Sequence, residues 1–267
     1  MRVGLNTYGY MYRETALELI PRLATKAAVR RFEILVTQGH CWPATADQRK
    51  ELAAVIAGEG VEVSALNLRA TDQNLVSDYP EAQALALSHY KMMIDAAAAA
   101  SIPYIVVVPG RTSPVLSPPA PVLRNRFAKA IVELNSRACD EGVGLLLENV
   151  PYGFLSDTAS LVSMVKELDQ SNINIVLDVA NAGFIGEDFR VIYAEAADFV
   201  RMIHLSNTTT NRLGHNLFNA GILPMNDILR FVKESGRMNY VNVEVVGDDD
   251  EIIADFKTAE AAIVDAA

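Results

Sequence analysis

Cysteine is scarce in this chain, and so is histidine: two of the first and four of the second in 267 residues. Cys41 and Cys139 stand far apart with no CxxC spacing, which excludes a disulfide framework and a thiolate zinc site and points to a reducing compartment. Positive charge is also in deficit. Lys and Arg number 23 against 33 Asp and Glu, a formal net charge of −10, so the chain offers no basic face for nucleic-acid phosphates and no polybasic surface for anionic lipid. No apolar run approaches the roughly 18 to 20 residues of a membrane span; the longest, Met92 to Ala100, is mostly alanine and contains Asp95. The first residues, Met1 to Asn6, lack the apolar core and small-residue cleavage site of a secretory signal, and a cytoplasmic protein is expected. No glycine-rich dinucleotide fingerprint follows the first apolar run, where the sequence is Asn6-Thr7-Tyr8-Gly9-Tyr10.

What is present is a core-forming composition, 51% hydrophobic and only 21% charged, arranged as an alternation. Short β-branched runs at Val3–Asn6, Phe32–Thr37, Val61–Asn67, Tyr104–Pro109, Gly144–Glu148, Ile173–Asp178, Met202–Leu205 and Val241–Val246 predict eight strands. Segments of helical period follow each, at 14–27, 46–58, 79–100, 121–141, 157–168, 187–198, 225–236 and 249–265, the third opening on Ser77 and Pro80 as cap and first-turn signals. Pro114, Pro118, Pro119 and Pro121 mark an extended loop after the fourth strand. The strand cores are continuously apolar, as in Ile105 to Val108, which fits parallel strands covered on both faces. Eight strand-helix units in a chain of this length predict an α/β fold, a (β/α)8 TIM barrel, with residues 1–267 as a single domain.

In such a barrel the chemistry sits where strands end at the C-terminal face. Strand five ends on Glu148, strand six on Asp178, strand seven presents His204 and strand eight Glu244, so four consecutive strands each deliver one metal-ligating residue type. Three clustered carboxylates beside an apolar core repel one another unless a cation compensates. A set of two Glu, one Asp and one His suits a divalent ion, Mn²⁺ foremost, with Mg²⁺, Co²⁺ and Zn²⁺ also compatible, and leaves positions open for substrate oxygens. Around the same mouth, Asn6 and Asn67 end strands one and three. Tyr8, Tyr10, Trp42 and Phe154 lie in loops where aromatic walls could stack on a small polar substrate, and His40 in Gly39-His40-Cys41-Trp42-Pro43 is near them. His89, inside a helix, reads as structural. Near strands seven and eight only Arg212 is basic, which favours a neutral substrate over a phosphorylated one.

The ordered set Glu148, Asp178, His204 and Glu244, with Gly214-His215 through Gly221 and Asn226-Asp227-Ile228-Leu229 after strand seven, resembles the xylose isomerase-like TIM barrels over essentially the whole chain. That family includes sugar epimerases, inosose dehydratases, hydroxypyruvate isomerases and an AP-endonuclease branch. The resemblance implies one catalytic divalent metal on the four residues, with Glu148 and Glu244 flanking the substrate carbon that loses and regains its proton. It also implies substrate contacts near Asn181 and His215. Three positions depart from the ketose 3-epimerase pattern: Asn181 stands for a usual histidine, Phe154 for a glutamate and Thr210 for an arginine, with Arg212 two residues on. A trinuclear AP-endonuclease site would draw on more histidines than His40, His89, His204 and His215.

The expected function is therefore a divalent-metal-dependent isomerase or epimerase of a small keto sugar or polyol, acting through an enediolate. Two alternatives stand beside it: a lyase in the same fold, either an inosose dehydratase or a subunit eliminating from a 3-keto glycoside, and a non-catalytic sugar-binding barrel. The expected partner is a small carbohydrate, with neither nucleic acid nor membrane; self-association is left open.

Overall fold

A computed structural model of the protein describes residues 2–113, 115–236 and 240–263. Eight parallel strands, β1 (Arg2–Asn6), β2 (Arg31–Val36), β3 (Glu62–Leu68), β4 (Tyr104–Val107), β5 (Gly144–Glu148), β6 (Ile173–Asp178), β7 (Val200–Leu205) and β8 (Tyr240–Val243), pair in chain order. The ring closes where β8 pairs with β1, Leu5 opposite Val243. Outside it lie α1 (Ala16–Lys26), α2 (Ala46–Glu59), α3 (Pro80–Ala99), α4 (Ala120–Asp140), α5 (Thr158–Leu168), α6 (Val179–Phe184), α7 (Phe189–Ala196), α8 (Met225–Ser235) and α9 (Asp249–Ile263). The fold is a (β/α)8 TIM barrel.

The two-residue period of a strand explains why the runs look uniformly apolar. Residues such as Leu5, Val107, Leu147, Leu177 and Val243 point outward into the main core beneath the helices. Between them Ala65, Val106, Leu146, Val176, Met202 and Tyr240 point inward and fill the barrel as a separate apolar layer. Two positions further along their own strands stand Asn67, Val108, Glu148, Asp178, His204 and Asn242. Apart from Val108, the barrel interior therefore changes from apolar to polar in one step towards the C-terminal mouth.

Local signals set the helix starts. Reciprocal capping boxes, Thr15 with Glu18 and Thr45 with Gln48, open α1 and α2, and Asp157 caps α5 through Ser160 N–H. Pro80 and Pro121 occupy first-turn positions, where a missing N–H costs nothing. Ser77 does not cap α3; its hydroxyl accepts from Tyr79 N–H at 3.1 Å, one turn of chain before the helix. Two further differences from the sequence pattern matter for the site. The chain turns at once into α6 after β6, because Asp178 itself serves as the N-cap, and β8 stops at Val243, leaving Glu244 just beyond the strand. Pro114 and the last two positions of the expected C-terminal helix lie outside the described residues.

Candidate metal centre and its cavity

Glu148, Asp178, His204 and Glu244 come from four adjacent strands of the ring. Their candidate ligand atoms all lie within 4.8 Å of one another, with every residue buried. His204 Nδ1 is 3.0 Å from Glu244 Oε2, 3.4 Å from Glu148 Oε1 and 3.9 Å from Asp178 Oδ2. Glu244 is held at this height by its own N–H, which donates to Leu205 O at 2.9 Å. Asp178 is fixed three ways: its N–H donates to Asn149 Oδ1 (2.7 Å), its carbonyl accepts from Asn149 Nδ2 (3.0 Å), and its Oδ1 accepts from Asn181 N–H (2.5 Å). Its other oxygen points into the cluster. Asp178 Oδ2, His204 Nδ1 and Glu244 Oε2 are buried with no hydrogen-bond partner.

Beneath this set lies a carboxylate that strand-end reasoning passed over. Glu33, in the middle of β2 and fully buried, accepts from Asn6 Nδ2 and Asn67 Nδ2 (both 2.9 Å) on one oxygen and from Asn242 Nδ2 (2.5 Å) on the other. His204 Nε2 lies 2.9 Å from that second oxygen. This contact places a proton on Nε2, so that Nδ1, which faces the three strand-end carboxylates, is the nitrogen whose lone pair a cation would take from the neutral ring. Gly4 makes room for the arrangement: a Cβ there would stand 2.4 Å from Asn242 Oδ1. The signal available in the sequence was a charged residue inside the apolar run Phe32 to Val36 and an asparagine inside Tyr240 to Val243.

The electrostatics follow from crowding in a dry site. Burial raises the Glu148 carboxyl above its ordinary range and pushes Asp178 up to about 7. At Glu244 burial acts in the same sense, but His204 and His215 outweigh it and its pKa falls below the ordinary value. Burial alone would lower both histidines; Glu33 and Glu244 reverse that at His204 and raise it strongly, and Glu244 and Asp178 raise His215. A divalent cation is what this donor set fits: it would satisfy all three partnerless atoms and remove the mutual repulsion of the carboxylates.

A cavity of about 380 Å³ opens above the set. Glu148, Glu244, Asn181, His215, Asn67 and Tyr8 line it, so the structure gathers these expected residues. Tyr8 and His215 form one wall, their rings 5.2 Å apart, with His215 Nδ1 also 3.0 Å from Ser206 Oγ. Asn6 sits lower, bridging Glu33 and, at 3.3 Å, Glu244. Arg212 is exposed and lines an adjoining space that shares Tyr8, Leu213 and His215 with the first.

Four expected wall residues go elsewhere. His40 is tied between Glu14 O (2.6 Å) and Thr7 Oγ1 (2.9 Å), Trp42 packs edge-on against His89, Tyr10 is fully buried, and Phe154 packs against Phe127. These four side chains fold back on the core, while Tyr8, Tyr12 and Tyr152 of the loops after β1 and β5 face the cavity. The mouth is ringed by Tyr12, Tyr152, Arg69 and Arg111, none of which was singled out from sequence. Arg69 directly follows β3, so the strand-end rule would have found it.

A closed eight-stranded barrel with a buried Glu, Asp, His and Glu cluster under its mouth defines the class. The chain belongs to the xylose isomerase-like TIM barrel family, whose profile matches residues 21–266. No curated protein sequence matches it. Among solved structures, a D-tagatose 3-epimerase-like protein superposes with a TM-score of 0.86 at 18% identity, covering 98% of this chain and 97% of the other. The D-psicose 3-epimerase of Clostridium cellulolyticum H10, solved with D-tagatose, gives 0.80 at 17% identity, with 98% and 97% covered. The IolI protein with a bound zinc atom gives 0.80 at 18% identity, with 99% and 97% covered. At such identities the likeness establishes the fold.

Proposed function

We propose that this protein is a divalent-metal-dependent isomerase or epimerase of a small keto sugar or polyol. The observation that carries this is the convergence of three buried, partnerless ligand atoms beneath a cavity of small-molecule size. Structural neighbours named as ketose 3-epimerases, and one holding zinc, support the reading. Glu148, Asp178, His204 and Glu244 would hold the ion, with manganese preferred for a mainly oxygen donor set. Bound there, it would supply Lewis acidity to a carbonyl and a neighbouring hydroxyl, acidifying the hydroxyl-bearing carbon next to the carbonyl.

The chain's own groups then divide the work. Glu148 and Glu244 reach the cavity from strands three apart, and each has a second oxygen able to take or return a proton at the activated carbon. Asn67 and Asn181 present amides that hydrogen-bond substrate hydroxyls without titrating. Glu33 keeps His204 in a single tautomer, and Tyr8 closes a wall against water.

Asn181 favours a second reading, a lyase in the same site. It places an amide at the cavity where the resembling ketose epimerases carry an imidazole, and Phe154 packs into the core. Proton NMR in D₂O, with Mn²⁺-loaded protein and a panel of ketoses and inososes, separates the readings. Deuterium incorporation with a change of configuration or carbonyl position is expected; loss of water supports the lyase, and no exchange with any member overturns the catalytic reading.

A further inference from the structure

The guanidinium groups of this chain are nearly all occupied. Among the described residues, every arginine side chain makes a hydrogen bond or ion pair except Arg69, Arg111, Arg190 and Arg212. Arg190 lies over Phe231 on the outer surface, and Arg212 lines the adjoining space. The other two line the cavity that holds Glu148 and Glu244. In a chain carrying ten more acidic than basic residues, two arginines without a hydrogen bond or ion pair, Arg69 half-buried and Arg111 exposed, line one cavity.

Both are held on anchored backbone. Arg69 N–H donates to Val36 O at 3.1 Å, and its half-buried guanidinium rests over Tyr12, 5.3 Å from the ring centre. Arg111 is clamped by one side chain: Asn74 Oδ1 accepts from Arg111 N–H and Asn74 Nδ2 donates to Arg111 O, both at 3.1 Å. Gly110 makes that clamp feasible. Its φ is +113°, and a Cβ there would stand 2.6 Å from Asn74 Oδ1. The loops after β3 and β4 thus present two planar cations at the rim of a cavity whose floor is acidic and suited to a cation.

We infer that the substrate is an anionic keto sugar, whose phosphate or carboxylate is taken by Arg69 and Arg111 while its carbonyl end reaches the floor. This rests on the proposed function for the identity of the reacting end. Guanidinium groups pair with either anion through charge-assisted, often bidentate hydrogen bonds. Sequence reasoning pointed to a neutral substrate because it searched only near strands seven and eight; the arginines arrive from the opposite side of the ring.

The test compares a ketopentose, its 5-phosphate and a keto-uronate by calorimetry, on Mn²⁺-loaded wild type, Arg69→Gln, Arg111→Gln and Arg190→Gln. One anion is expected to bind wild type at least tenfold more tightly than the neutral sugar. That advantage should fall several-fold in each cavity variant and persist in Arg190→Gln, with the two anions ranking phosphate against carboxylate. Neutral sugar binding as well as both anions, or an advantage retained by both cavity variants, overturns the inference. D₂O exchange on the same three compounds keeps the two proposals apart: anion preference without exchange removes the catalytic reading alone, and exchange without anion preference removes this one alone.

Discussion

Two buried acidic neighbourhoods meet at His204, and they are opposites. Glu33 has both oxygens filled by three asparagine amides and the His204 ring. A few ångströms above, Asp178 and Glu244 each keep an oxygen with no partner. An unsatisfied buried carboxylate costs several kcal/mol, so a folded chain carrying two of them beside a saturated one has kept those positions for something it does not itself supply. Position in the barrel explains the contrast: Glu33 is ringed by the asparagines of β1, β3 and β8, whereas Asp178 Oδ2 and Glu244 Oε2 face His204 and His215 and no amide donor.

The sharpest way to break the comparison is at Asp178. Purified wild type should carry close to one equivalent of divalent metal by elemental analysis, and Asp178→Ala less than about a tenth of that, with turnover abolished. Equal metal content in the two proteins would show that the partnerless atoms are not a cation site. Glu244→Gln keeps a ligand oxygen but removes the proton acceptor, so metal should largely remain while turnover falls about 10²- to 10⁴-fold. Parallel loss of metal and turnover would leave Glu244 a ligand role only.

On the saturated side the expected effects are smaller. Asn242→Ala strips one donor from Glu33 and should lower stability by about 1 to 3 kcal/mol in urea melts, with a weaker metal affinity read by chelator competition. An unchanged affinity would separate Glu33 from the positioning of His204.

His40 sharpens the contrast from a third side. Burial lowers its pKa below 6.5, outweighing the carbonyl of Glu14 to which it donates. Its unfolded form binds the proton first, so its contribution to stability is present above pH 6.5 and is lost as pH falls from there towards the folded value. Urea melts between pH 7.5 and 5.5 should show about 1 kcal/mol or less of extra acid sensitivity, absent in His40→Gln. An identical slope in the variant would assign the effect to the strand-end cluster.

The sequence alone determined the barrel and four of its strand-end residues. Alternation of short apolar runs with helical segments is a local property, and a polar residue closing an apolar strand can be read without knowing its neighbours. Asp178 shows the limit: its place at the end of β6 was legible, its second duty as the N-cap of α6 was not. What the tertiary structure decided is everything that depends on which residues meet across the ring. Glu33 gained its importance from Asn6, Asn67 and Asn242, each on a different strand, and it stands where the register of β2 against β3 shifts between Phe32 and Glu33. His40 and Trp42 were drawn away from the mouth because Thr7, Glu14 and His89 offered them partners, while Arg69 and Arg111 reached it because their loops are tied down elsewhere. Strand periodicity is written every two residues along one chain; the pairing of buried polar groups is settled only when the ring closes, because a hydrogen bond is satisfied by distance in space.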